Sequence, residues 1–243
     1  MVERATPMEQ AAPPTFETLL RTVAEMDTPD GFKAELIRGK IIVSPFSSLR
    51  YLRSMRALRE QLKLHAPEGH VTETSPFLFR FPATERAYGP DLFVADEAAF
   101  EDDGRHADSA ALSLVAEFTS TSTKDVDWNE KLEVYGQVVP VYLVADMQAK
   151  ELTCFSEPSP HGYRSRKTVS FGEELYVPEP FDCTIGTTGF QEPLKRPRAA
   201  PPVWGVPPSV EEQPISQRPI RSPCHRPACR RRPARRPSRA CRR

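Results

Sequence analysis

Leu112–Tyr135 reads LSLVAEFTSTSTKDVDWNEKLEVY. It opens as an apolar run with the look of a buried strand, yet Glu117 sits inside that run. A turn rich in Ser and Thr follows, and then a predicted helix with Lys131 on its first turns. A lone carboxylate in a buried strand costs several kcal/mol, on the order of other unpaired interior charges, unless something cationic meets it. Two partners are available to Glu117. One is a divalent ion shared with Asp91 on an earlier strand, and the other is the ammonium of Lys131.

Working outward, Val138–Ala145 is a strand whose Pro140 places its true start one residue later. Lys150–Ser156 and Tyr163–Val169 form a closing hairpin, and the segment from Leu175 to about Phe190 finishes the body. Upstream, Tyr88–Ala95 is a strand with Asp91 near its start, and Val71–Phe81 is another, alternating at Phe77, Phe79 and Phe81. Residues 49–64 give a helix with Leu49, Leu52, Met55, Leu58 and Leu62 at spacings of three and four. Its other face carries Arg50, Arg53, Arg56, Arg59 and Lys63. Phe32–Ile37 and Lys40–Ser44 form a hairpin across Arg38-Gly39, with Glu35 in the first strand. A first helix is capped by Thr15 and ends near Asp27. The pattern predicts an α/β fold, a mixed, curved sheet with flanking helices.

The 243 residues are 39% hydrophobic, below the roughly 45–50% of globular chains, and the deficit is concentrated at the C-terminal end. From Lys195 onward there are 14 Lys and Arg against Glu211 and Glu212, which leaves 19 bases and 31 acids before it. A body near −12 and a tail near +12 hide inside a net charge of zero. The expected organisation is a disordered leader over 1–14, one domain over 15–193 and a disordered Pro/Arg-rich tail over 194–243, too poor in apolar surface to offset ordering entropy. No apolar run reaches the roughly 18 residues of a membrane span, and the N-terminus lacks a signal-peptide pattern. The body holds only Cys154 and Cys183, too few for a disulfide framework, so a cytoplasmic protein is expected. Cys224, His225, Cys229 and Cys241 match no closed zinc spacing.

Glu35, Asp91, Glu117 and Lys131 are the candidate catalytic residues. Carboxylates from two neighbouring strands, Asp91 and Glu117, are a suitable pair for Mg²⁺ or Mn²⁺, a hard cation that prefers oxygen ligands and keeps several waters. A lysine beside them can orient a water, and the combination points to phosphodiester hydrolysis.

AELIRGKIIV, then GPDLFVAD, then LVAEFTSTSTKDVDWNEKLEVYGQVVPVYLVAD resemble, in order and spacing, the Uma2 (DUF820) family of restriction-endonuclease-like proteins, akin to the PD-(D/E)xK nucleases. The resemblance covers about residues 15–190. It implies a restriction-endonuclease-like sheet, a DNA substrate and a Mg²⁺ or Mn²⁺ cofactor. Pro90-Asp91 matches the family's PD, Glu117 the second acid, Glu35 the hairpin glutamate and Asp127 the aspartate ahead of EKL. Lys131 matches a lysine that has moved from the strand to the following helix, since position 119, where the plain motif has lysine, is Thr. Folds of this kind often act as homodimers, and nothing in the sequence marks an interface.

Other readings stay open. Glu117 could pair with a helix Arg, Lys131 could be a solvated helix residue, and Glu35 could be an exposed residue opposite Lys40. The Arg stripe on 49–64 fits either a phosphate track or an ordinary solvated face. A catalytically degenerate nuclease fold that binds nucleic acid or protein partners is the main alternative function, and a purely structural domain is a third.

Overall fold

The computed structural model describes residues 13–74, 77–101, 104–119 and 126–190. Residues 1–12 of the leader and the whole of the basic tail lie outside them. Helix α1 (Phe16–Glu25) starts where the Thr15 side chain accepts the Thr18 N–H. Strands β1 (Phe32–Ile37) and β2 (Lys40–Pro45) pair across Arg38-Gly39, both with positive φ, the geometry of a tight two-residue hairpin. A 3₁₀ turn over Leu49–Tyr51 leads into α2 (Leu52–Lys63). Strands β3 (His70–Thr74), β4 (Leu78–Phe81), β5 (Arg86–Tyr88), β6 (Leu92–Asp96), β7 (His106–Asp108) and β8 (Leu112–Thr119) follow. A π-helical turn over Val126–Lys131 opens into α3 (Leu132–Val138). The chain continues through β9 (Val141–Asp146), β10 (Glu151–Ser156), β11 (Ser165–Ser170), β12 (Glu174–Val177) and β13 (Cys183–Gly186).

These strands make three sheets instead of one. The larger has order β11-β10-β9-β8-β6-β3, the smaller β2-β1-β5-β4-β7, and β12 pairs with β13. The two long strands expected upstream are each divided. Residues 71–81 become β3 in the larger sheet and β4 in the smaller, and 88–95 lie on β5 and β6, likewise in different sheets. Pro90 has no N–H for a ladder, which makes Gly89-Pro90-Asp91 a natural place to change sheets. Alternation cannot reveal such a crossing, because both sheets are apolar on the faces concerned.

Strand β8 is the centre of the larger sheet, antiparallel to β6 and parallel to β9, and all eight of its residues are buried. Successive side chains take opposite faces. Leu114, Ala116 and Phe118 join Leu58 and Leu62 of α2 and Leu175, Val177 and Ile185 of β12 and β13. Gln61 fastens α2 to that small sheet, donating to Gly186 O at 3.0 Å and accepting from Gly186 N at 2.8 Å. Val115 faces the other way, with Val134 and Tyr135 of α3 and Tyr142 of β9. Leu20 and Val23 of α1 pack on Leu36, Leu78 and Ala87 of the smaller sheet. Burial of each such large apolar side chain stabilises by roughly 1.5–3 kcal/mol. Cys154 and Cys183 are free, and burial pushes the Cys154 thiol up to about 12.

Candidate active site

Glu117 lies on the Val115 face of β8, the side toward Tyr135. Leu92 of β6 stands opposite Ala116, so one step further in that register Asp91 comes beside Glu117. The Phe118 N–H donates to Asp91 Oδ2 at 2.9 Å, and Ser47 Oγ donates to the same oxygen at 2.6 Å. Two strands in register therefore bring the two carboxylates together. The smaller sheet supplies Glu35 from β1, whose Oε1 accepts the Gly89 N–H at 2.9 Å. Glu35 is opposite Ile42, not Lys40, and it is buried.

Lys131 closes the cluster from the last position of the π turn. Its Nζ is 2.8 Å from Glu117 Oε1, 3.4 Å from Glu35 Oε1 and 3.5 Å from Asp127 Oδ1. Only 3% of Lys131 is exposed, so it is neither a solvated helix residue nor on a regular α-helix. The wider π turn directs Asp127 and Lys131, four residues apart, to the same point. Tyr135 OH donates to Glu117 Oε1 at 3.2 Å, and Tyr142 OH donates to Asp127 O at 3.0 Å.

Lys33 is the residue that sequence reasoning missed. Its Nζ donates to Gly89 O at 2.6 Å and lies 3.5 Å from Asp91 Oδ1 and 3.8 Å from Glu35 Oε1. The signal was present as a lysine two residues before Glu35, the period that puts both on one face of a strand. Ser47 and Tyr135 complete the set, Ser47 from the stretch that links the hairpin to α2.

Among the described residues, four carboxylates (Glu35, Asp91, Glu117, Asp127) meet two ammonium groups. Fully ionised, the cluster carries two excess negative charges. Burial pulls Lys131 down, but Glu117, Glu35 and Asp127 together outweigh it and hold the ammonium well above the usual lysine range. Burial would raise Glu35, but Lys131, Lys33 and the Gly89 N–H outweigh it and hold this carboxyl below its ordinary value. Glu117 behaves differently. Burial outweighs the attraction of Lys131 and Lys33, and Asp91 and Asp127 add repulsion, so its carboxyl is pushed up to about 8. The proton belongs to the cluster as a unit, with Glu117 as its seat.

These groups line a pocket of about 430 Å³, walled by Ile37, Ile42, Phe46, Tyr51 and Val126. The donors are all oxygens and the charge deficit is two, which suits a hard divalent ion. Among the described residues no three His, Cys, Asp or Glu side chains converge as ready ligands. Lys33 stands beside Asp91 Oδ1 instead, so a metal there would have to displace its ammonium.

The family model for Uma2, described as "putative restriction endonuclease", matches residues 16–188, most of the chain. The chain belongs to the Uma2 family. A solved structure of "a putative nuclease belonging to DUF820" from Anabaena variabilis ATCC 29413 is similar at a TM-score of 0.55 and 12% identity, over 73% of this chain and 97% of that one. No curated protein matches. This Uma2 chain thus has the restriction-endonuclease-like mixed α/β architecture expected from its sequence, and among its described residues no helix is long and apolar enough to cross a membrane.

Proposed function

We propose that this Uma2 protein is a metal-dependent endonuclease that hydrolyses DNA phosphodiester bonds. The observation that carries the reading is the meeting of Asp91, Glu117 and Lys131 around one pocket, from strand register on one side and the π turn on the other. Asp91 and Glu117 would hold Mg²⁺ or Mn²⁺, which when bound polarises the scissile phosphate and offsets the charge that develops on it. Lys131, held as ammonium, orients the attacking water and stabilises negative charge. It does not act as the base. Glu35 fixes the position of Lys131, and the Phe118 N–H and Ser47 fix Asp91. Tyr135 orients Glu117.

The test uses the full chain with Mg²⁺ or Mn²⁺ on supercoiled plasmid and on single-stranded circular DNA, beside Glu117→Gln and Lys131→Ala. Cleavage by the parent and a loss of at least 100-fold in either variant is expected. One observation favours a second reading, a degenerate nuclease fold that binds without cutting: Lys33, Ser47 and the Phe118 N–H already engage both oxygens of Asp91. A folded parent that binds DNA, cuts neither substrate and gives no heat with Mn²⁺ would select it.

A further inference from the structure

Resting on the nuclease reading, we propose that the pocket receives one unstacked nucleotide. The substrate is then single-stranded nucleic acid, or a strand locally freed from its partner, with its backbone following the first arginines of α2.

Depth is the first ground. Glu35, Asp91, Glu117 and Lys131 are all buried at the pocket floor. In a duplex the phosphates ride on the outer, convex side of stacked bases. A recessed floor is reached at least cost by a nucleotide free to leave the stack, and that cost is least for strands already single. At about 430 Å³ the pocket sits near the low end of the roughly 300–1,000 Å³ of small-ligand sites, room for one nucleotide and not for a duplex.

The walls are the second ground. Ile42, Phe46 and Val126 stand at the mouth, each more than a third exposed although large and apolar, and Tyr51 lies deeper. Such side chains offer a phosphate nothing. They suit the flat face of a base, and stacking of this kind tolerates any sequence.

The third ground separates the arginine stripe into two halves. Arg59 is committed, donating to Thr72 O and to Glu73 and Glu60. Arg53 and Arg56 are exposed and make no ion pair among the described residues. Arg50 lies 4.8 Å over the Tyr51 ring and donates to Tyr51 OH at 2.7 Å, which ties the start of the stripe to the pocket wall. The free half thus begins at the mouth and climbs α2 by about 4.5 Å for every three residues, opposing phosphates with unpaired guanidiniums. Positive charge beside a net-negative floor leads a polyanion in from one side.

The experiment photocross-links the full chain, in Ca²⁺ to hold substrate uncut, to a 5-iodouracil-substituted oligonucleotide, either single-stranded or annealed to its complement. Cross-linked peptides are then mapped. We expect the single strand to cross-link to the segment bearing Phe46 or Tyr51, and annealing to lower the yield at least tenfold. Phe46→Ala should weaken single-strand binding roughly 5- to 150-fold, with recovery in Phe46→Trp. Equal or better cross-linking of the duplex would overturn the proposal, as would cross-links confined to the basic tail. Conversion of a dimer to a monomer by Phe46→Ala, with binding unchanged, would also overturn it and assign the apolar rim to a second copy of the chain. Cross-linking needs no cleavage, so it reads the occupant of the pocket separately from the activity. Duplex cutting without single-strand preference would sink the inference and leave the nuclease reading standing.

Discussion

Replacing Glu117 with Gln should make this protein more stable at pH 8 and less sensitive to pH. In the folded chain the Glu117 carboxyl is pushed from an ordinary value of 4.5 up to about 8, chiefly by burial. Between those two values the folded state holds a proton that the unfolded chain has released. Stability from this group is therefore fully present below about pH 4.5 and is lost as pH rises through about 8. At about 1.4 kcal/mol per unit, the shift corresponds to an upper limit on the order of 5 kcal/mol. Because Glu35, Asp91 and Asp127 share the two lysines, a few kcal/mol is the expected observable slope. Gln keeps the shape and an oxygen for Lys131 and Tyr135 but has no proton to lose. Urea denaturation from pH 5 to pH 9 measures the difference. The parent should decline through this window by about 2–4 kcal/mol more than Glu117→Gln. Mg²⁺ or Mn²⁺ at a hundred times its dissociation constant should restore about 2.7 kcal/mol to the parent at pH 8. Parallel stability curves for the two proteins would refute the argument, because they would mean that Lys131 alone keeps Glu117 ionised.

Lys131→Met strands Glu117 and Glu35 without their shared cation and should cost about 3–5 kcal/mol at pH 8, less at pH 5 and less again in a Glu117→Gln background; equal losses in all three cases would contradict the pairing. Lys33→Met should tighten Mn²⁺ at least tenfold by calorimetry, about 1.4 kcal/mol, since it clears the Asp91 oxygen; weaker binding would make Lys33 a support for the site and not a competitor. Gly136→Ala should destabilise by about 1–3 kcal/mol, because a Cβ there would meet Gly162 Cα at 2.9 Å and Tyr163 N at 3.0 Å; a neutral change in melting would show that α3 can shift freely.

Much of this arrangement was legible from residue types. Glu117 announced itself as a charge in an apolar strand, and the hairpin, the β8 strand and the capped first helix fall where periodicity and turn residues place them. The departures share a physical origin. A strand that leaves one sheet and enters another keeps its apolar alternation, so residues 71–81 and 88–95 read as continuous. The π turn was illegible because Asp127 and Lys131, four residues apart, share a face on an α-helix as well, so residue types carry no sign of the wider turn. Lys33 passed as a hairpin surface residue, since its burial depends on Gly89 and Asp91, more than fifty residues away. The leader's first twelve residues and the expected tail lie outside the described residues.

The crossing at Gly89-Pro90-Asp91 has an architectural consequence. Lys33 and Glu35 ride on the smaller sheet, whereas Asp91 directly precedes β6 and Glu117 lies on β8, two adjacent inner strands of the larger one. The cluster is a clasp between two platforms, and its geometry reads the angle between them. A change in that angle would lengthen the contacts by which Lys33 and Glu35 reach Asp91 and Lys131. Substitutions under α1, which packs on the smaller sheet, therefore have a route to this cluster even though they touch none of its residues.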